Sequence, residues 1–231
     1  KYNSDWGYMT GRDGVSRQYS FATNYYHKPI MSLNWDWNMA QKSKLSTVLY
    51  ASFGRGGGSG DLGRVGGQYA SKFRTADGLY DFDAIRAANL ASNPTSGVIV
   101  KRASVNSHNW FGILSNFQQK INDNWNFSLG VDGRYYKGYH YQVVSDLLGA
   151  SAYLDKRNLN EPSRLISNTF ESKPNWNPFA SVQSLNDRIS YSNEGEVLWY
   201  GGFGQIEYTA NNFSAFLQGS LSNQGFRSID D

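Results

Sequence analysis

Apolar and polar residues alternate with a period of two along much of the chain, the signature of β-strands with two unlike faces. The cleanest run is Asn126 to Tyr135. There Phe127, Leu129, Val131, Gly133 and Tyr135 fall on one side, and Asn126, Ser128, Gly130, Asp132 and Arg134 on the other. Met31, Leu33, Trp35, Trp37 and Met39 alternate in the same way with Ser32, Asn34, Asp36 and Asn38. Phe213, Ala215, Leu217, Gly219 and Leu221 alternate with Ser214, Gln218 and Ser220, with Phe216 interrupting the polar set. Leu45, Thr47, Leu49, Ala51 and Phe53 share a side of a less regular strand. The glycine-rich stretch from Leu198 to Tyr208 does not declare its facing. The pattern predicts about seven strands, near 6–10, 19–40, 44–54, 107–121, 125–141, 196–209 and 212–226.

These strands are long. Ten residues rise about 34 Å and, tilted by about 45°, cross the roughly 25 Å apolar band of an outer membrane, whereas strands of soluble domains average roughly 5–6 residues. The connections alternate between tight polar turns, at 41–43, 122–124 and 210–211, and two long polar segments, at 55–106 and 142–195. Loops of that length are unusual in a compact soluble domain but ordinary outside a bacterial barrel, whose periplasmic turns are short. The first long segment carries helix formers at 83–91. The second, with Pro162, Pro174 and Pro178, predicts no long regular element.

Composition sharpens the picture. Aromatic residues make up 16% of the 231, and the apolar payload sits in rings suited to a surface near water. No uninterrupted apolar run exceeds the four residues of 48–51 and 197–200, which excludes a membrane helix of roughly 20 residues. The net charge of +3 is spread along the chain and leaves no basic footprint for nucleic acid. With no cysteine, disulfides, thiolate zinc sites and cysteine nucleophiles are all absent. The opening Lys1-Tyr2-Asn3-Ser4-Asp5 does not read as a signal peptide, so an exported protein would be represented here by a mature or internal piece. An odd strand count and the cost of an open edge in lipid point to part of a larger transmembrane antiparallel up-and-down barrel.

Several stretches carry a family resemblance: Tyr26-His27-Lys28-Pro29, Tyr50-Ala51-Ser52-Phe53-Gly54-Arg55-Gly56-Gly57-Gly58, His108-Asn109-Trp110-Phe111-Gly112, Asp132-Gly133-Arg134-Tyr135-Tyr136-Lys137-Gly138, Asp146-Leu147-Leu148-Gly149 and Gly201-Gly202-Phe203-Gly204-Gln205-Ile206-Glu207-Tyr208. In order and spacing they resemble the barrel domain of TonB-dependent outer-membrane receptors. The resemblance implies a 22-strand type of barrel, a plug domain, energised uptake of a scarce nutrient (siderophore, glycan, peptide or vitamin) and a TonB complex as partner. It also implies outer-membrane lipid around the barrel and a place for a surface lipoprotein beside it. Neither plug nor TonB box, nor a terminal closing aromatic, is recognisable in this chain. A structural or assembly role for an outer-membrane barrel subunit, and a soluble all-β carbohydrate-binding or hydrolytic domain, are the competing readings.

No catalytic residue, metal or cofactor is expected. Gly58-Ser59-Gly60-Asp61-Leu62-Gly63 matches a dinucleotide fingerprint literally, but Arg64-Val65-Gly66-Gly67 is a poor helix start. His27, His108 and His140 lack metal spacing and read as interfacial residues. Asn126-Phe127-Ser128 and Asn212-Phe213-Ser214, glycosylation acceptors in form, open strands and read as chance. Among the rings, Trp35, Trp37, Trp125, Tyr50 and Trp110, with Trp199 and Tyr200, are expected in membrane-interface girdles. Trp176 and Tyr191, in a long loop, are the ligand-contact candidates. Asp132 and Arg134, two apart on a polar face, are expected to line a wet interior and to guide a ligand.

Overall fold

The computed structural model describes residues 4–230; the first three residues of the opening segment and Asp231 lie outside the described residues. In chain order the elements are β1 (Trp6–Thr10), β2 (Ser16–Ser20), β3 (Asn24–His27), β4 (Ile30–Ala40), β5 (Ser43–Gly63), β6 (Tyr80–Asp81), α1 (Phe82–Ala91), β7 (Ile99–Lys120), β8 (Trp125–Asp146), β9 (Tyr153–Asp155), β10 (Arg164–Ile166), β11 (Arg188–Ala210) and β12 (Phe213–Asp230). The chain is all-β, and its main sheet is antiparallel, in the order β12-β11-β8-β7-β5, with β3 and β4 both on the free side of β5. Among the described residues β12 pairs with β11 and β4 with β5, so the sheet is open at both edges and is not closed into a barrel.

Local chemistry explains where the elements break. The strand expected over 19–40 is split by Pro29, which has no N–H to give to a ladder. Upstream of it, β3 stays in the main sheet on β5, while Tyr19 and Ser20 fall in β2, part of a small sheet in which β1 pairs β2 antiparallel and β6 parallel. The turns after β4 and β11 are two residues each, and Asn211 takes φ 51, a left-handed conformation that asparagine tolerates. Between β7 and β8 the Asn122 carboxamide oxygen accepts from the Asn124 and Trp125 backbone N–H groups.

The four long strands run further than expected, at 21, 22, 22 and 23 residues for β5, β7, β8 and β11. The ladder between β5 and β7 continues to Gly63↔Ile99, so the stretch from Gly56 to Gly60 is strand and not the base of a flexible loop. Glycine is needed there: a Cβ on Gly57 would sit 2.3 Å from the Ser104 carbonyl oxygen. This also disposes of the dinucleotide motif, which lies in extended backbone with no helix at its third glycine. The two long connections therefore shrink to 64–98 and 147–187.

Pairing register shows which side chains share a face. One row across the sheet is Trp35–Thr47–Ser115–Val131–Gly202–Leu221, and the next is Leu33–Leu49–Ile113–Gly133–Tyr200–Asn223. Trp37–Leu45–Phe117–Leu129–Gly204–Gly219 and Met31–Ala51–Phe111–Tyr135–Leu198–Gly225 flank them on the same side. The other side carries Asp36–Ser46–Asn116–Gly130–Phe203–Ser220 and Asn38–Lys44–Gln118–Ser128–Gln205–Gln218. The facing of Leu198 to Tyr208 is thereby settled, with the even-numbered residues on the apolar face.

Nothing within the described chain covers the apolar face near the short turns: Leu33 is 64% exposed, Val131 55% and Leu221 86%. The buried core lies at the other end. There the first long connection, with β6 and α1, folds back against the N-terminal β1 and β2, packing Phe21, Phe82 and Ile85 on Ile99 and Leu148. The helix expected at 83–91 begins one residue earlier, with the Asp81 carboxylate accepting from the Ala84 N–H as N-cap. Its buried Asn89 donates to the Ile99 and Leu148 carbonyls and accepts from the Ile99 N–H, stitching helix to strands. Lys101 fixes the same junction by donating to the Ser20 carbonyl at 2.7 Å.

Candidate functional site

Two places gather chemistry, one on each face of the sheet. On the polar face, one register row is Ser32–Tyr50–Gly112–Arg134–Trp199–Gln224, and the row beyond it is Ile30–Ser52–Trp110–Tyr136–Val197–Phe226. Alternation thus puts Arg134, Tyr50, Trp110 and Trp199 together. Arg134 donates to the Asp132 carboxylate at 2.7 Å and lies 4.6 Å over the Trp199 ring. Tyr50 meets Trp110 edge to face at 6.0 Å. Its ring lies across Gly112, where a Cβ would come within 2.1 Å of it. The result is an aromatic patch with a fixed guanidinium–carboxylate pair, set in a field of amides and hydroxyls. Such a patch binds through stacking and hydrogen bonds.

This arrangement corrects one expectation. Tyr50, Trp110 and Trp199 do not share a face with Trp35, Trp37 and Trp125; they stand beside Asp132 and Arg134 on the polar side. The alternation of Leu45, Thr47, Leu49, Ala51 and Phe53 already set Tyr50 on the opposite side; the girdle expectation assigned the ring by its type and not by its position in that alternation. Trp35 and Trp37 stack at 5.9 Å on the apolar face. Trp125 packs on Tyr208 at 4.8 Å, and Tyr208 on Phe213 at 6.5 Å. Trp125, Tyr208 and Phe213 line the short-turn margin of the apolar face, whereas Trp35 lies deeper, in the row of Val131.

The second place lies beyond the apolar belt, where the connection 147–187 folds over the same face of the extended strands. Val105, Tyr141 and Val143 pack there with Tyr25, Phe170 and Val182. Beside them opens a cleft of about 580 Å³ that Trp176 helps to line, its ring 4.5 Å from His27. Tyr191 lies elsewhere, in a separate cleft of about 490 Å³ with Arg157 and Arg164, next to a bulge at which Ser190 takes φ 64. The structure therefore does not bring Trp176 and Tyr191 together. Sequence reading missed Arg55, which sat in an apparent loop. It is buried, and it donates to the Gly54 and His108 carbonyls, to the Asn109 side chain and to the Ala180 carbonyl. No nearby spacing signals that role.

Two expectations follow for this region. Arg55→Ala removes the tie to Ala180, so limited proteolysis is expected to cut within 174–180 faster than in the parent protein, while the main sheet keeps its circular dichroism. The second concerns alkali. Burial, with smaller contributions from Tyr141 and Tyr26, pushes the Tyr25 hydroxyl up to about 12. A raised folded-state value means that the neutral phenol favours the fold below its ordinary value of about 10, and that this support is lost as pH rises through about 12. Tyrosinate absorbance of Tyr25, read as the difference from Tyr25→Phe, is expected to appear late and together with loosening of the 147–187 connection.

No protein-family model matches the chain, and no curated protein matches it either.

Proposed function

We propose that this chain forms part of the wall of an outer-membrane β-barrel, its apolar face in lipid and its polar face toward a wet interior, in a receptor that imports a scarce nutrient in the manner of TonB-dependent receptors. The observation that carries the reading is the height and one-sidedness of the exposed apolar belt. It runs from the row Ser43–Gln119–Phe127–Ile206–Leu217 to the charged row Phe53–Asn109–Lys137–Glu196–Arg227. Those ten residue steps rise about 33 Å and, at a tilt of about 45°, cover roughly 23 Å, close to the apolar height of an outer membrane. Water-soluble sheets bury such a face against another layer; here nothing among the described residues covers it. The two open edges would pair with further strands of the same barrel, since unpaired backbone is not tolerated in hydrocarbon. The patch of Arg134, Asp132, Tyr50 and Trp110 then faces the interior, where a solute passes.

The test is fractionation of the native protein. It is expected to sediment with outer membranes, to resist alkaline carbonate and to be released by detergent. Recovery as a monodisperse protein from the soluble fraction would overturn the reading.

A further inference from the structure

The upper margin of the apolar belt is not finished by strand residues alone. Phe53 and Phe111 meet edge to face at 5.5 Å at its rim, and the ring of Phe179, from the second long connection, lies 5.3 Å from Phe53. Phe179 is 72% exposed and Trp176, three residues earlier, 75%. Large exposed rings on a flexible loop would be unremarkable, but this segment is built. The Asn175 side chain accepts from the Asn177 N–H at 3.0 Å, and the Asn177 side chain from the Phe179 N–H at 3.0 Å. The Ala180 N–H closes the turn on the Asn177 carbonyl at 3.2 Å. Arg55, itself anchored at three further points, holds the Ala180 carbonyl at 3.1 Å. Two consecutive side-chain turns and an arginine clamp thus present two rings in continuity with the rim of the belt.

We propose that the 174–180 finger is a membrane-surface anchor, seating Trp176 and Phe179 at the headgroup level of the leaflet that borders the long connections. The inference rests on the membrane reading and assigns the finger's rings to lipid instead of to an imported solute. Aromatic rings with a polar edge partition to that depth. The neighbouring margin on β8, β11 and β12 has the matching chemistry: Lys137 bridges Glu194 and Glu196 at 2.8 and 3.4 Å, and Arg227 stands 3.9 Å from Glu196, a charged border where hydrocarbon gives way to headgroups. Trp125, Tyr208 and Phe213, packed on one another at the short-turn end of the same face, mark the opposite margin.

The experiment uses the detergent-purified protein reconstituted into phospholipid vesicles brominated either near the headgroup or near the acyl terminus. Emission from Trp176 is read as the difference between parent and Trp176→Phe, and that of Trp35 as the difference from Trp35→Phe. The expected result is that Trp176 loses most of its emission to the headgroup-proximal bromine and little to the acyl-terminal one, and that Arg55→Ala weakens this quenching. If lipid bromine quenches Trp35 but leaves Trp176 bright and open to aqueous iodide, the anchor is overturned and the membrane reading stands. If lipid bromine quenches neither, both fall.

Discussion

Val131→Arg is expected to destabilise the membrane-inserted protein by about 2–4 kcal/mol, the cost of a cation on the lipid face near mid-depth of a barrel. Val131 sits in the row Trp35–Thr47–Ser115–Val131–Gly202–Leu221, four steps from one margin of the belt and six from the other. Ser220→Arg, on the polar face of β12, is the matched control and is expected to cost little. The pair is informative because Val131 is 55% exposed in the chain itself. In water an arginine there would meet solvent and cost within about 0.5 kcal/mol, like most surface changes. A large penalty at Val131 with none at Ser220 therefore measures what covers the apolar face. Reversible denaturation from lipid vesicles reads both. Equal and small effects would remove the lipid from the account.

The strands of the belt were legible in sequence because one face must be apolar and the other polar, which imposes a period of two that survives without any knowledge of partners. Asp132, Arg134, Val131 and Leu129 were placed correctly on their faces for that reason. The same logic fails wherever both faces are covered or both are wet. Beyond Phe53 the strands continue between folded connections, and glycines and small polar residues replace the alternation, so β5 was cut short at Gly54 although it runs to Gly63. Tyr50 and Trp110 were misplaced because aromatic rings occur on both faces of this sheet. On the polar face they are admitted by glycines opposite them, such as Gly112 beneath Tyr50 and Gly130 beneath Phe203. That partnership depends on register across strands distant in sequence. The Arg55 clamp on Ala180 spans 125 residues and leaves no local trace.

Gly63→Ala is the second change with a large expected effect, about 3 kcal/mol, because it combines two costs, a left-handed backbone conformation and a close backbone neighbour. Gly63 closes β5 with φ +91, a conformation that charges an L-residue of order 1–3 kcal/mol. Its added Cβ would also lie 2.1 Å from the Val98 carbonyl oxygen, a backbone atom that cannot rotate away and must shift the ladder, at about 1–3 kcal/mol more. Gly66 has φ +56 but open space around it, so Gly66→Ala is expected to cost about 1 kcal/mol. Gly195 has neither constraint and nothing within 4 Å, so Gly195→Ala is expected near zero. The damage at Gly63 should be local in kind. Val98 and Val100 pack with Val144, Ile166 and Ile189, so parting Gly63 from Val98 loosens the seat on which both long connections rest. Hydrogen exchange is expected to rise at 98–100 and 144–148 while the ladder below Phe53 stays protected. Three substitutions of equal cost would mean that the distal ends of these strands are as pliable as loops, and that the extended ladder contributes nothing to holding the connections in place.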